Sequence, residues 1–209
     1  AKIRICAESL RIVSSFKEDY GIDIEWRKGG YLYVAYDAER EKAFKSLLAA
    51  QKAAGLDIDW LGPDRVAELA PGISAEGLRG GTFSPGDGYA SSLMTATAFH
   101  RLALGAGVDF FFDEPLIDIE SVGGRVASVR TAHEGISGGL FINAAGAYAA
   151  EVAELAGSVL PVHPDCHEAG VTEPVERFLE PMVVDSRPDA ASGNYYFYQA
   201  ATGQVVFCI

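Results

Sequence analysis

Glycines divide the chain into short apolar segments, some with the two-residue period of a strand and others with the longer period of a helix. Segment 31–36, Tyr-Leu-Tyr-Val-Ala-Tyr, is rich in aromatic and β-branched residues and predicts a strand. Segment 38–54 places Phe44, Leu47 and Leu48 on one face among charged residues, which predicts an amphipathic helix. Because both kinds of segment are interleaved, we expect an α+β or mixed α/β fold with mixed and antiparallel sheets.

The same two periods place the remaining elements. Further helices are expected at 3–20, 62–69, 93–104 and 147–156. Further strands are expected at 24–27, 58–61, 108–112, 116–122, 126–131, 140–142, 171–172, 182–185, 195–199 and 204–209. We expect 24–27 to form a hairpin with 31–36, and the wholly apolar 140–142 to be buried on both faces. The glycine-rich segment 77–88 is expected to be a loop.

Composition excludes several classes of partner. The 209 residues are 49% hydrophobic and 22% charged, which is typical of a soluble globular protein with one large or two small domains. A formal net charge of -12 repels nucleic acid and anionic lipid. No apolar stretch approaches the ~20 residues that a membrane span requires. Three widely spaced cysteines, Cys6, Cys166 and Cys208, suggest neither a disulfide framework nor a zinc site, so we expect a reducing, cytoplasmic setting.

Motifs that carry chemistry on their own are scarce. The glycines of 77–88 follow neither the dinucleotide spacing nor that of a P-loop. Acidic pairs such as Glu18–Asp19 and Asp113–Glu114 have no histidine or cysteine in a metal-ligand pattern around them. We therefore assign no catalytic residue and no metal ligand from the residues alone.

Two stretches nevertheless carry a family resemblance. The first, 105–149, combines a glycine hairpin with Asn-Ala-Ala-Gly at 143–146, and it resembles the D-amino-acid oxidase superfamily of FAD-dependent oxidoreductases, the glycine and sarcosine oxidase group. The second, 161–203, includes Tyr-Tyr-Phe-Tyr-Gln at 195–199 and is similar to β subunits of heteromeric sarcosine oxidases and dye-linked proline dehydrogenases. Asp-Gly-Tyr-Ala at 87–90 is similar to an Asp-Gly-His-Ala loop that lies close to the flavin in the family.

The resemblance implies a set of cofactor contacts. The family strand that corresponds to Leu116 lies beside the adenine of FAD, and the strand that ends in Asn-Ala-Ala-Gly brings its backbone against the flavin. Small side chains at Ala144, Ala145 and Gly146 would admit the ring system near a helix start. Tyr148 stands where the family often has an aromatic residue by the cofactor. The same residues would also suit close packing of a strand against a helix with no ligand.

The resemblance also implies a substrate side and a domain division. His167 and Tyr196 fall in strand-like segments that pass near the substrate in relatives. Residues 1–24 and 86–160 would belong to an FAD-binding domain, and residues 25–85 and 161–209 would belong to a substrate-binding domain.

The implied activity is oxidation of an amine or amino acid of the sarcosine, proline or glycine type, by hydride transfer to flavin, with an electron-acceptor subunit as a candidate partner. The G-x-G-x-x-G segment that holds the pyrophosphate of FAD is missing from this sequence. We therefore expect an internal fragment of such an enzyme, inactive by itself. Two alternatives stay open: a stand-alone α+β binding module without flavin, and a related flavoenzyme acting on a hydroxy acid or glycerol phosphate.

Overall fold

The computed structural model describes residues 2–166, 168–187, 193 and 195–208. Within that part of the chain the helices are α1 (Lys2–Tyr20), α2 (Ala38–Ala53), α3 (Pro63–Leu69), α4 (Ser92–Gly105) and α5 (Ala149–Leu155). The strands are β1 (Tyr31–Ala35), β2 (Asp59–Leu61), β3 (Gly80–Ser84), β4 (Asp118–Val122), β5 (Arg125–Arg130), β6 (Gly135–Ser137), β7 (Ala169–Val171), β8 (Met182–Asp185), β9 (Tyr195–Gln199) and β10 (Val205–Cys208). None of the helices in these ranges is both long and apolar enough to cross a bilayer.

The chain folds into two compact units. Unit 1 comprises Ala1–Ala103 and His167–Ile209, and unit 2 comprises Leu104–Cys166. Unit 1 contains a seven-stranded sheet in the order β2-β3-β1-β8-β9-β10-β7, in which β1 and β8 run parallel and every other pair is antiparallel. Unit 2 contains the three-stranded antiparallel sheet β4-β5-β6. This combination of a mixed and an antiparallel sheet with helices confirms the expected fold class.

The core of unit 1 lies against one face of its sheet. Leu32 and Val34 of β1 and Val183 of β8 are almost completely buried there, and they pack with Val66 of α3 and Leu179. Burial of each such side chain contributes roughly 1.5–3 kcal/mol. A second cluster joins α1 to α4 and the segment between α1 and β1, through its buried residues Phe16, Ile24 and Ala98. On the opposite face of the sheet, Phe44 of α2 contacts Tyr33 of β1, with ring centroids 6.1 Å apart.

The expectation that 77–88 is a loop is wrong, because β3 occupies its centre and pairs with both β1 and β2. Glycines are needed there because neighbouring backbones approach closely. A Cβ at Gly80 would lie 2.3 Å from the carbonyl oxygen of Leu61, and one at Gly81 would lie 2.5 Å from that of Tyr33. Glycine inside this strand therefore marks close packing and not a flexible connection.

Three strand predictions are also wrong. Segment 24–27 makes only an isolated bridge between Arg27 and Tyr89, because Glu25 has a φ of 57° that breaks the extended backbone. Segments 108–112 and 140–142 form no strand, since no described strand pairs with them. Leu140 and Ile142, expected to be buried, are 79% and 80% exposed.

The hairpin of unit 2 follows the sequence closely. Gly123 and Gly124 have φ values of 60° and 77°, the positive pair that a type I′ two-residue turn requires. β4 and β5 pair across this turn, with a register shift between Glu120 and Ser121. β6 adds a third strand that the sequence pattern did not reveal.

Candidate functional site

Asn143 organises the small-residue corner of unit 2. Its side-chain Oδ1 accepts a hydrogen bond from the backbone N–H of Ala145 at 3.2 Å, and its Nδ2 donates to the carbonyl oxygen of Ala149 at 2.9 Å. Gly146 has a φ of 56° and begins a 3₁₀ turn that leads into α5. One asparagine thus holds the backbone in a fixed bend, which we call the 143–148 corner.

The 143–148 corner is open on its outer side. Ala144 and Gly146 are exposed, and Tyr148 keeps 65% of its surface accessible. A Cβ built on Gly146 would meet nothing within 4 Å. If these small residues served only to pack a strand against a helix, other side chains would cover them. The geometry therefore fits a flat ring system laid against bare backbone, as the flavin contact requires.

The predicted flavin contact at the 143–148 corner depends on the accessible backbone and not on the dipole of the following helix. The helix that follows the corner, α5, has seven residues, and so short a helix has only a weak dipole. Leu116 also lies in unit 2, half-buried and two residues before β4. Register pairing begins at Asp118 with Arg130, so Leu116 lies outside the paired residues of the hairpin. Its contact with adenine rests on the family resemblance and stays a prediction.

A separate set of tyrosines lies on the sheet of unit 1. Tyr33 pairs with Val184, and Val184 pairs with Tyr196, so these side chains share the sheet face opposite the core. Tyr31 and Tyr198, two residues along their strands, point to the same face. We call Tyr31, Tyr33, Tyr196 and Tyr198 the tyrosine face.

Tyr89 closes one end of the tyrosine face. Its ring centroid lies 4.6 Å from that of Tyr198, and its hydroxyl donates to the carbonyl oxygen of Gln199 at 2.7 Å. Backbone hydrogen bonds between Tyr89 and Arg27 hold the same segment in place. The Asp-Gly-Tyr-Ala segment at 87–90 is thus anchored to β9 through its tyrosine.

Three phenols of the tyrosine face, those of Tyr31, Tyr196 and Tyr198, have a pKa above the ordinary value. Burial is the largest cause that raises the pKa of Tyr31 to about 12, with the neighbouring Tyr33 next. A hydrogen bond with Cys208 is the first cause that raises the pKa of Tyr196, and burial raises that of Tyr198. Phenols with such pKa values are protonated at neutral pH. The face therefore offers aromatic surface and neutral hydroxyl groups.

Asp185, the buried carboxylate at the end of β8, lies on the core face of the sheet, where it has a structural role. Arg187 donates to both of its oxygens at 2.5–3.1 Å, and the hydroxyl of Tyr195 donates at 3.0 Å. The guanidinium of Arg187 also stacks on the ring of Tyr36 at 3.6 Å. The positive charge of Arg187 balances the negative charge of this carboxylate, and we assign the carboxylate no chemical role.

Comparison with known families decides the relationship. The profile of the family described as "FAD dependent oxidoreductase" (DAO) matches residues 1–209. The chain belongs to the DAO family. The resemblance seen in the sequence is therefore confirmed, and members of the DAO family are FAD-dependent enzymes.

Among DAO relatives, the mitochondrial sarcosine dehydrogenase of Homo sapiens is 29% identical over 181 residues, which are 84% of this chain and 20% of that protein. Sarcosine oxidase subunit beta of an Arthrobacter species is 29% identical over 210 residues, covering 97% of this chain and 50% of that protein. The crystal structure of L-proline dehydrogenase from P. horikoshii aligns with a TM-score of 0.87 at 25% identity, covering 98% of this chain and 54% of that one. The chain thus spans a fifth to a half of these curated relatives.

The structure places the predicted site residues in two groups. Leu116, Ala144, Ala145, Gly146 and Tyr148 all lie in unit 2. Tyr196 lies in unit 1 on the tyrosine face. His167 lies outside the described residues. The contacts of all seven residues with cofactor or substrate stay predictions.

Sequence reasoning missed Tyr31 and Tyr33 as members of the tyrosine face, because they join it only through the pairing of β1 with β8. The 87–90 segment, whose likeness to a family loop was visible in the sequence, contains Tyr89.

Proposed function

We propose that this chain is part of a FAD-dependent oxidoreductase that oxidises an amine or amino acid of the sarcosine, proline or glycine type by hydride transfer to flavin. The carrying observation is the open 143–148 corner in a chain whose whole length matches the DAO family. Relatives named for sarcosine and proline support the amine class. Because the chain spans only a fifth to about half of these relatives, it is not active by itself in this proposal.

The cofactor side has defined roles. FAD, when bound, accepts the hydride from the carbon beside nitrogen, which is chemistry that the protein need not supply. Leu116 would lie beside the adenine, Ala144, Ala145 and Gly146 would present backbone to the flavin, and Tyr148 would lie by the cofactor. The protein's part is to orient the two reactants and to exclude water.

The substrate side is formed by Tyr196 and His167 in this proposal. The hydroxyl of Tyr196 orients the substrate, and the neutral tyrosine face excludes water from its apolar part. We propose the matching domain division, with 1–24 and 86–160 on the FAD side and 25–85 and 161–209 on the substrate side. The relative named as a subunit supports an electron-acceptor subunit as partner. Three free cysteines support a reducing, cytoplasmic setting.

The test begins with the protein encoded by the complete reading frame around this segment. It should purify with bound FAD, and anaerobic sarcosine or proline should bleach the flavin absorbance, whereas lactate and glycerol 3-phosphate should not. If lactate or glycerol 3-phosphate bleached the flavin and the amines did not, the enzyme would act on a hydroxy substrate and the amine proposal would be wrong. The fold of a glycerophosphate oxidase from Mycoplasma pneumoniae, similar with a TM-score of 0.69 at 17% identity, makes that arm necessary.

A variant pair tests the 143–148 corner in the same protein. Ala144→Phe places a ring where the flavin should lie, so FAD content should fall by at least about ten-fold, equivalent to about 1.4 kcal/mol of binding free energy. Ala132→Phe, also at an exposed alanine of unit 2, should retain its FAD. Equal FAD content in both variants would remove the corner from the cofactor site. A protein that purifies without FAD and takes up none would favour the binding-module alternative.

A further inference from the structure

A cavity of about 470 Å³ lies within unit 1. One wall is apolar and comes from α1, including Ile3, Ala7 and Leu10. The segment that follows α2, including Leu56 and Asp57, forms a second wall, and the turn after β3 with Asp87 forms the third. Its volume falls in the range of small-molecule sites, which are mostly apolar with a few fixed polar groups.

The polar groups of this cavity all favour a cation. Asp57 and Asp87 both line it, and no lysine, arginine or histidine is among the described residues that do. The cavity also adjoins the C-terminal end of the 16-residue helix α2, where the helix dipole is negative. The net charge of -12 adds an attractive field for cations over the whole molecule.

Hydrogen bonds fix the position of Asp87 in the cavity wall. Ser84, which is buried, hydrogen-bonds its carboxylate, and the backbone carbonyl of Asp87 accepts from the N–H of Gly30 at 2.8 Å. Tyr31 faces it as a neutral phenol. Burial raises the pKa of Asp87, so the carboxylate lacks the solvation it would have in water. An ammonium group at this position would replace that missing solvation with a charge-assisted hydrogen bond.

We propose that this cavity binds a protonated organic amine with an apolar body, its ammonium group on Asp87 and its carbon skeleton against α1. An anion is disfavoured by the two carboxylates, and a small inorganic cation would leave the apolar wall unfilled. The proposal does not depend on the flavin chemistry proposed above, since every described residue that lines the cavity belongs to unit 1 and none of them is a predicted cofactor or substrate contact.

The test uses the purified chain with labelled isoleucine and leucine methyl groups. Titration with benzylammonium chloride should shift the NMR signals of Ile3, Leu10 and Leu56. Benzyl alcohol, its neutral counterpart, should bind at least about ten-fold more weakly, and benzoate should give no shifts at these positions. Ten-fold corresponds to about 1.4 kcal/mol, within the worth of one charged hydrogen bond.

Variants test whether the carboxylate of Asp87 binds the ammonium group and whether the ligand occupies the cavity. Asp87→Asn should weaken benzylammonium binding about ten-fold while leaving benzyl alcohol binding unchanged, which also shows that the variant is folded. Asp64→Asn, at an exposed aspartate of α3 outside the cavity, is the matched control and should change neither. Ala7→Trp, at an exposed position of the apolar wall, should block both ligands.

Three outcomes overturn the proposal. They are equal affinity for benzylammonium and benzyl alcohol, an unchanged benzylammonium affinity in Asp87→Asn, and shifts confined to methyl groups outside the cavity. None of these readouts involves FAD, so failure here leaves the proposed oxidoreductase function standing, and failure of that function leaves this site standing.

Discussion

Gln199 is a fully buried amide whose hydrogen bonds hold the loop before β8. Its Nε2 donates to the carbonyl oxygens of Val175, Glu176 and Gly203 at 3.0–3.2 Å, and its Oε1 accepts from the N–H groups of Phe178 and Leu179. Only an amide offers donors and an acceptor in this arrangement. Gln199→Glu would aim a buried carboxylate at three carbonyl oxygens, so we expect the free energy of unfolding to fall by about 3 kcal/mol or more.

Urea unfolding followed by tryptophan fluorescence measures this loss, because Trp26 and Trp60 both lie in unit 1. Gln204→Glu, on the adjacent and partly exposed turn, is the matched control and should change stability by less than about 0.5 kcal/mol. Similar midpoints for the two variants would show that the amide is not needed where it lies.

Asp87 gives unit 1 a distinct pH dependence. Burial raises its pKa in the folded protein above the ordinary value of 3.8. Between 3.8 and the raised pKa, the unfolded chain gives up this proton first, so stability falls as pH rises and the penalty persists at neutral pH. Asp87→Asn should therefore have a higher urea midpoint than the parent at pH 7, and the gain should disappear below pH 3.8. A gain that is independent of pH would contradict this origin.

The site shows how far single residues can be predicted. Alternation along 195–199 predicts two sets of side chains on opposite faces of a strand, and only the family resemblance pointed to Tyr196. Its neighbour Tyr31 lies 165 positions earlier in the chain and joins the same face only through the parallel pairing of β1 with β8. Such register depends on tertiary contacts that no local pattern encodes. Asp87 acquires its raised pKa from the same long-range burial.

At the scale of elements, the close approach at the start of β1 can be tested with two glycines of similar backbone. Gly30 has a φ of 86°, and a Cβ there would lie 2.3 Å from the ring of Phe83. Gly21, after α1, has a φ of 68° and open space around it. Gly30→Ala combines backbone strain with overpacking and should lower stability by about 3 kcal/mol, whereas Gly21→Ala should lower it by about 1 kcal/mol. Urea midpoints compare them, and equal losses would show that strain alone acts at Gly30.

Elements with a local cause were predicted well, and those defined by partners were not. α2 begins where predicted because the carboxylate of Asp37 accepts from the N–H of Arg40 at 2.7 Å, a cap that the sequence carries in itself. β3 was missed because its glycines, read as flexible, are required by adjacent strands. Segment 140–142 has the composition of a buried strand, yet no described strand pairs with it. The composition of segment 140–142 therefore indicated strand propensity, but a strand also requires a neighbouring strand to pair with.

At the scale of the molecule, apolar exposure is concentrated in unit 2. Leu140, Ile142 and Val159 are 79–90% exposed, and Phe112 is 70% exposed. Proteins rarely leave so many large apolar side chains in water unless another surface covers them. The chain spans about half the length of the β subunit that it resembles. Unit 1 also exposes apolar side chains, such as Leu93 at 80%, but unit 2 carries a similar number in a much shorter stretch of chain, so we expect it to bind hydrophobic probes more strongly.

A fluorescent naphthalenesulfonate dye tests this difference in the folded chain. The double variant Leu140→Asp/Ile142→Asp should bind markedly less dye than the parent at the same urea midpoint, because two adjacent exposed side chains on one segment lose their apolar character. Leu47→Asp is the matched control: Leu47 is 54% exposed, on α2 of unit 1. Single exposed leucines are ordinary on protein surfaces, so its loss should leave dye fluorescence nearly unchanged. Equal reductions in both variants would mean that exposed apolar area is spread over the whole molecule and not concentrated in unit 2.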